Sequence, residues 1–359
     1  MLLRKFSGKK VQTMINKFAA LNAKIDHMYG QFLKDDDILL LAGKQDLEDV
    51  FRRVNDYGFL AEFDAFENVY DAQDVLKAYE GGQVNKLTHF LTGPYKEFMQ
   101  AYTRSEEMNR LKLVLRCLRF HKNVGDLTFN QLVLGKQKIQ LKNETIAQFV
   151  DRLKMTKYYR ILKPYQNEEE DVILFYMEMN LDKPYYQDLL RATAKFSKEN
   201  KDWFKRIFGR KIDLLNILWM ARAKKYYQLL PEEIMNFCIL GGDYYNYKRL
   251  SDLCYTKSEG EFLKRIAQTP YAFLFEGEDV YLYSHRRASR FLYYYCKSQI
   301  KFSKGNMGKL FCYLILLESE MNDLRILFES ARFHIDTEDK LKYLTRHLGH
   351  IEGSEVNGY

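Results

Sequence analysis

Helix breakers are scarce in this chain: 5 prolines and 19 glycines punctuate 359 residues. The runs between them are long and rich in Leu, Lys, Glu, Arg and Ala, which helices favour. Long hydrophobic runs are missing too. The longest strictly apolar stretch is "LFCYLILL", Leu310 to Leu317, far short of the roughly 20 residues a membrane-spanning helix needs. Cysteines are few: Cys117, Cys238, Cys254, Cys296 and Cys312 are odd in number, widely spaced and set among apolar neighbours. That pattern suits reduced core thiols better than a disulfide frame or a zinc site, and predicts a reducing, cytoplasmic setting. The opening "MLLRKFSGKK" carries charges where the apolar part of a secretory signal would lie, so no signal peptide is expected.

Catalytic signatures are missing as well. The nearest approach to a P-loop, "SKGNMGKL", has Ser303 where the first Gly belongs and Leu310 where Ser or Thr must reach magnesium. HExxH, CxxC, GxSxG and GxGxxG do not occur, which removes the usual marks of zincins, redox enzymes, hydrolases and dinucleotide binders. No catalytic residue, metal or cofactor is expected. An enzyme would need dispersed active-site groups, for which the sequence offers no positive sign.

What is present points to a folded, helical, basic protein. Hydrophobic residues make up 47% and charged residues 29%, enough apolar surface for packed cores. The length suggests two or three domains. A formal net charge of +8 favours an acidic partner without naming it: nucleic acid, an anionic membrane face or an acidic protein.

The strongest internal signal is a repeat. "ESEMNDLRILFESARFHID", Glu318 to Asp336, matches "SEEMNRLKLVLRCLRFHKN", Ser105 to Asn123, at seven of nineteen positions, and "KIDLLNILWMARAKKYYQL", Lys211 to Leu229, in chemistry. On a helical wheel Leu324, Leu327, Phe328 and Ala331 share one sector, as do Leu111, Val114, Leu115 and Leu118 in the first copy. Further parts of the unit recur. "FNQLVLG" from Phe129 aligns with "MNFCILG" from Met235, each ending in Gly where a helix or turn should stop. An FxxR-type helix recurs from Phe149 and Phe262, and more faintly over Val50 to Tyr57.

A period above 100 residues exceeds that of TPR, HEAT or armadillo repeats. It therefore predicts an all-α protein of three similar helical-bundle domains, residues 1–130, 131–240 and 241–359. Similar domains can make the same contact in turn around an approximate threefold axis, which leaves a central hollow.

Two sets of repeated polar residues attract interest. Glu107, Asp213 and Glu320, with Arg110, Asn216 and Asp323, fall in the otherwise apolar sector and must find partners there; interhelix hydrogen bonds are the plainest expectation. On the opposite face Lys112, Arg116, Arg119, Arg222, Lys225, Arg325 and Arg332 form a basic stripe. Such a stripe is either a solvated face or the lining of the hollow that meets a partner. His121 and His334 recur at the helix end, where Tyr227 stands in the second copy; imidazoles beside the last carbonyls account for them. "DYYNYKRL" from Asp243 and "SHRRASRFLYYYCK" from Ser284 could stack bases and hold phosphates. A basic, tyrosine-rich nucleic-acid-binding protein is therefore the alternative reading.

Taken together, the three units, "IDLLNILWMARAKKYY", "EMNDLRILFESARF" and "LNAKIDHMYGQFLKDDDILLLAGKQDLEDVFRRV" from Leu21 resemble one family. It is that of the C subunits of archaeal and bacterial V/A-type rotary ATPases, whose counterparts are the d subunits of eukaryotic vacuolar ATPases. Lys24 stands where the family's opening motif has Arg, and Asp323 where it has Asn. The resemblance implies an all-helical funnel of three domains that binds no nucleotide. It also implies a peripheral, noncatalytic place on the cytoplasmic face of the membrane, between the central-axle subunits of D and F type and the ion-carrying rotor ring.

Overall fold

The computed structural model describes residues 17–56, 69–127, 129–167, 172–277 and 279–348. The opening decapeptide and Tyr57 lie outside the described residues. Helices dominate, as the scarcity of breakers requires, and the all-α expectation holds. The first is α1, residues 17–29, followed by α2 (Asp35–Ala42), α3 (Leu47–Asp56), α4 (Val69–Thr88), α5 (Pro94–Tyr102) and α6 (Arg104–Arg119). A hairpin of β1 (Gln131–Leu134) and β2 (Gln137–Gln140) intervenes before α7 (Ile146–Arg152), α8 (Lys157–Leu162), α9 (Val172–Thr193), α10 (Lys198–Phe204) and α11 (Arg210–Arg222). The chain continues through α12 (Pro231–Phe237), α13 (Tyr247–Cys254), α14 (Glu259–Ile266), α15 (Ser284–Gln299), α16 (Gly308–Arg332) and α17 (Thr337–Tyr343).

The hairpin is the one departure from helix of any size among the described residues. "FNQLVLG" is a strand here: Leu132 and Leu134 are buried while Val133 between them is exposed, a period of two. Gly135 opens its two-residue turn at φ 61°, a conformation that glycine adopts without strain. The aligned "MNFCILG" instead closes α12 and leaves in extended form through Cys238.

The three copies of the repeated segment are the C-terminal parts of longer helices. The first is α5 running into α6. The second is α10 and α11, joined by a π-helical turn at Lys205–Gly209 and prolonged by another at Ala223–Tyr227. The third is the unbroken α16. All three end on a residue in the left-handed region: His121, Gln228 and His334, at φ 51°, 51° and 50°. His121 and His334 are therefore helix-end residues, as expected. The second copy's counterpart is Gln228 and not Tyr227, because the π turn takes in one extra residue before the chain reverses. The closing hydrogen bonds follow suit. The amide of Lys122 donates to Cys117 and that of Ile335 to Ser330, whereas Leu229 reaches one residue further back, to Ala223.

Two apolar clusters hold the fold. The larger draws on α1 to α5 and on most of the chain from Phe175 to Leu344; the smaller runs from Met108 to Leu181 around the hairpin. The segment Leu310–Leu317 lies wholly inside the larger one. All five cysteines are buried and none forms a disulfide. Packing is tight where α16 begins, since a Cβ on Gly308 would stand 2.4 Å from the Trp203 ring of α10. Gly308→Ala is expected to cost about 1–3 kcal/mol, read from chemical denaturation as a lower midpoint with an unchanged slope. An unaltered midpoint would mean that the two helices have room to slide apart.

Candidate functional site

Phe98, Phe204 and Phe311 occupy the same place in the three copies, being spaced by the same 106 and 107 residues as Ser105, Lys211 and Glu318. Their rings meet. Centroids lie 6.0 Å apart for Phe98 and Phe204, 5.3 Å for Phe98 and Phe311, and 5.9 Å for Phe204 and Phe311. Interplanar angles of 85°, 66° and 80° make each contact edge-to-face, the geometry that aromatic quadrupoles favour. Phe208 and Phe196 extend the cluster. The helices thus touch near their N-termini around a solid aromatic plug.

Continuing the phenylalanine face along each helix in steps of four and three residues follows a heptad seam, which drifts by only about 20° per seven residues. The seam reaches Ser105, Lys211 and Glu318, where Lys211 Nζ donates to Glu318 at 2.5 Å. Further on it passes Lys112, Leu218 and Arg325, then Arg116, Arg222 and Glu329, then Arg119, Lys225 and Arg332. Every residue of the basic stripe lies on this seam.

Those cations are not equally placed. Lys112 is half-buried and bonds Asp182 of α9 at 2.5 Å; Arg116 pairs with Glu178 of α9, one of its two bonds measuring 3.0 Å. Burial pushes the Asp182 carboxyl up, against the pull of Lys112. Arg325 is half-buried and lowers the pKa of Glu80 on α4, although burial and Glu318 still lift that carboxyl to about 7. Arg222 is exposed, with its guanidinium 5.3 Å from the Phe175 ring and bonded to the Tyr227 hydroxyl. Lys225 is exposed and lies 3.5 Å over Tyr281. Arg332 is exposed beside Phe333, and Arg119 is half-buried.

The helix preceding each long helix supplies the walls. α9 packs on α5 and α6, α15 on α11, and α4 on α16, so each copy leans on the helix that introduces another. The order is cyclic: first on second, second on third, third on first.

The polar residues of the apolar sector serve the same end. Glu107 accepts from the Gly135 amide at 3.3 Å. Asp213 accepts from the amides of Tyr244 and Tyr245 and from the Tyr271 hydroxyl, at 2.7, 3.1 and 2.8 Å. Glu320 accepts from the Leu33 amide at 2.9 Å. Each carboxylate holds a backbone loop, and the third holds one near the start of the chain. Burial lifts Asp213 to about 6 even though these donors favour its charged form. The second set behaves alike. Asn216 exchanges two bonds with the backbone of Ile239, and Asp323 accepts from the Thr345 amide at 2.6 Å. Arg110 differs, bonding Glu106 and stacking on Phe129. The expected interhelix bonds are in fact helix-to-loop bonds.

The tyrosines of the two tyrosine-rich segments are divided between core and surface, with Tyr244 and Tyr295 half-buried. Tyr245 and Tyr271 are buried and stacked on each other, and Tyr293 is buried, while Tyr247 and Tyr294 are exposed. Sequence reasoning missed the aromatic plug, seven residues upstream of the segment with recognisable identities. Carrying the same offsets back by two helical turns finds a phenylalanine in every copy. Among the described residues no helix is long and apolar enough to cross a membrane.

Comparison with known proteins bears on this arrangement. The ATP synthase (C/AC39) subunit family matches residues 21–343. The C subunit of the A-type ATP synthase of Methanosarcina mazei is 25% identical over 292 residues, covering 75% of this chain and 79% of its own length. Its namesake in Methanosarcina acetivorans is 25% identical over 283 residues, covering 72% and 76%. That of Methanosphaera stadtmanae is 23% identical over 227 residues, covering 60% and 57%.

Proposed function

This chain belongs to the ATP synthase (C/AC39) subunit family, and on that premise we propose that it is the noncatalytic central-stalk socket of a V/A-type machine. It couples the rotating axle, of D and F type subunits, to the membrane ion-translocating ring, and sits peripherally on the cytoplasmic face. Its bundles are residues 1–130, 131–240 and 241–359, arranged about an approximate threefold axis. The observation that carries this reading is the meeting of Phe98, Phe204 and Phe311 at 5.3–6.0 Å. Three equivalent side chains in mutual contact are what such an axis requires. The cyclic packing and the Glu320–Leu33 bond support closure of the third bundle on the first.

In this reading the plug is the floor of the socket, and the three helices part above it. The seam residues furthest from the floor, Arg119, Lys225 and Arg332, belong to the mouth and meet an acidic axle foot. Lys112, Arg116, Arg222 and Arg325 lie deeper, where Asp182, Glu178 and Glu80 also shape the wall. Charged contacts of this kind resist slippage while leaving the socket removable.

Reversing Arg119, Lys225 and Arg332 together is expected to weaken axle binding at least about tenfold and to flatten its salt dependence. Isothermal titration with the purified axle at two ionic strengths tests this. Unchanged affinity and unchanged salt response would remove the basic mouth. Failure to recover the chain with an ATP-hydrolysing head and an ion ring from native membranes would remove the socket reading itself.

A further inference from the structure

The loops entering the three long helices share one end of the molecule, beneath the plug. Tyr95 stacks on Phe196 at 4.6 Å, the Asn200 amide group bonds Tyr95 Oη, and Asn200 Oδ1 accepts from the Met307 amide at 2.9 Å. Asn306 reaches Glu199 at 2.7 Å. Two of these loops carry the same tetrapeptide, Lys195-Phe196-Ser197-Lys198 and Lys301-Phe302-Ser303-Lys304, 106 residues apart. All four lysines are exposed, and Lys96 and Lys201 stand exposed on the helices that follow.

The duplicated tetrapeptide contains its own control. Phe196 is 5% exposed and packs into the aromatic plug, whereas Phe302 is 74% exposed. The fold can bury a phenylalanine in this context, and at 302 it does not. An exposed aromatic side chain in a loop between lysines suits a surface that is anionic outside and apolar just beneath. A phospholipid headgroup layer is such a surface.

We propose that this end of the chain is a membrane-contact surface for anionic phospholipid headgroups, with Lys198, Lys301 and Lys304 supplying the electrostatic attraction and Phe302 entering the interfacial layer. The contact needs no axle and no ring, so it stands or falls separately from the socket reading.

Sedimentation of the full-length chain with phosphatidylcholine vesicles, with and without phosphatidylglycerol, tests it. Binding is expected only to the anionic vesicles and should fade as salt rises. Lys198→Glu, Lys301→Glu and Lys304→Glu combined should weaken it about a hundredfold, at about fivefold per lysine. A Phe302→Trp variant, altered only at an exposed position, should show a blue-shifted emission on anionic vesicles. Equal sedimentation with both vesicle types, retained affinity in the triple variant, or no spectral shift would each overturn the proposal. So would capture of the chain on polyglutamate or on RNA, at a salt concentration that releases it from the vesicles, that is lost in the triple variant, which would assign the surface to another polyanion.

Discussion

Phe311→Ala is expected to lower the unfolding free energy by about 3–5 kcal/mol, the range for emptying a fully buried aromatic site. Phe311 has no exposed surface and touches Phe98, Phe196, Phe204 and Phe208. Its neighbours come from helices that are locked by their own packing and cannot collapse into the void. Phe302→Ala, the same change at an exposed site, should stay within about 0.5 kcal/mol of the parent. The pair is therefore an internal comparison for urea or guanidinium unfolding. Phe98→Ala and Phe204→Ala should each approach the Phe311 value. Any two combined should cost less than their sum, because the second deletion opens into a cavity already made. Strict additivity would show that the rings do not share one packed volume, and the common meeting point of the three helices would lose its energetic content.

The consequences extend from packing to function. Removing a ring from the plug loosens the aromatic contact among the first parts of all three helices, so the seam residues beyond it are expected to lose their fixed separation. On the socket reading proposed above, the Phe311→Ala variant should accordingly bind the axle more weakly even at temperatures where it stays folded.

The helical class was readable because local chemistry dictates it: few prolines, few glycines, and apolar residues at helical spacing. Leu324, Leu327, Phe328 and Ala331 were assigned to one inner sector by the wheel alone, and all four are buried. Leu111, Val114, Leu115 and Leu118 behave alike. The hairpin was harder, since four residues of period two leave too short a signal, and the aligned segment of the next copy ends a helix. The fate of the basic stripe was beyond local inference altogether. Lys112 and Arg116 find Asp182 and Glu178 on a helix some 60 to 70 residues on, and nothing in the spacing of the stripe anticipates that helix. The left-handed residue Gln228 was displaced from the alignment by a π turn, a backbone event that no residue in "AKKYY" announces.

Three buried cations, Lys309, Lys340 and Arg346, tie the third copy to the start of the chain, and removal of Arg346 should be the most damaging polar change among them. Arg346 is almost fully buried and donates to the Leu33 carbonyl at 2.6 Å; its guanidinium lies 3.5 Å from Glu320 and 3.7 Å from Asp323. Arg346→Met keeps the bulk, strips the cation from two buried carboxyls and leaves that carbonyl without this donor. The expected cost is about 3–5 kcal/mol. Burial lifts the Glu320 carboxyl to about 8 and raises Asp323, while Arg346 lowers both. A carboxyl with a raised folded pKa binds more protons in the native state than in the unfolded chain, so Glu320 contributes a fall in stability as pH rises from about 4.5 to about 8, in the same direction as Glu80 and Asp213. Without Arg346 both carboxyls rise further, and the decline should steepen and extend to higher pH. Glu320→Gln, which cannot ionise, should make the decline shallower, leaving the share of Glu80 and Asp213. Urea unfolding of the parent and both variants across that window measures each slope. A slope unchanged by Glu320→Gln would show that Glu320 is held charged, and a harmless Arg346→Met would show that the closure is carried by apolar packing of α16 on α3 and α4 and by Lys309 and Lys340.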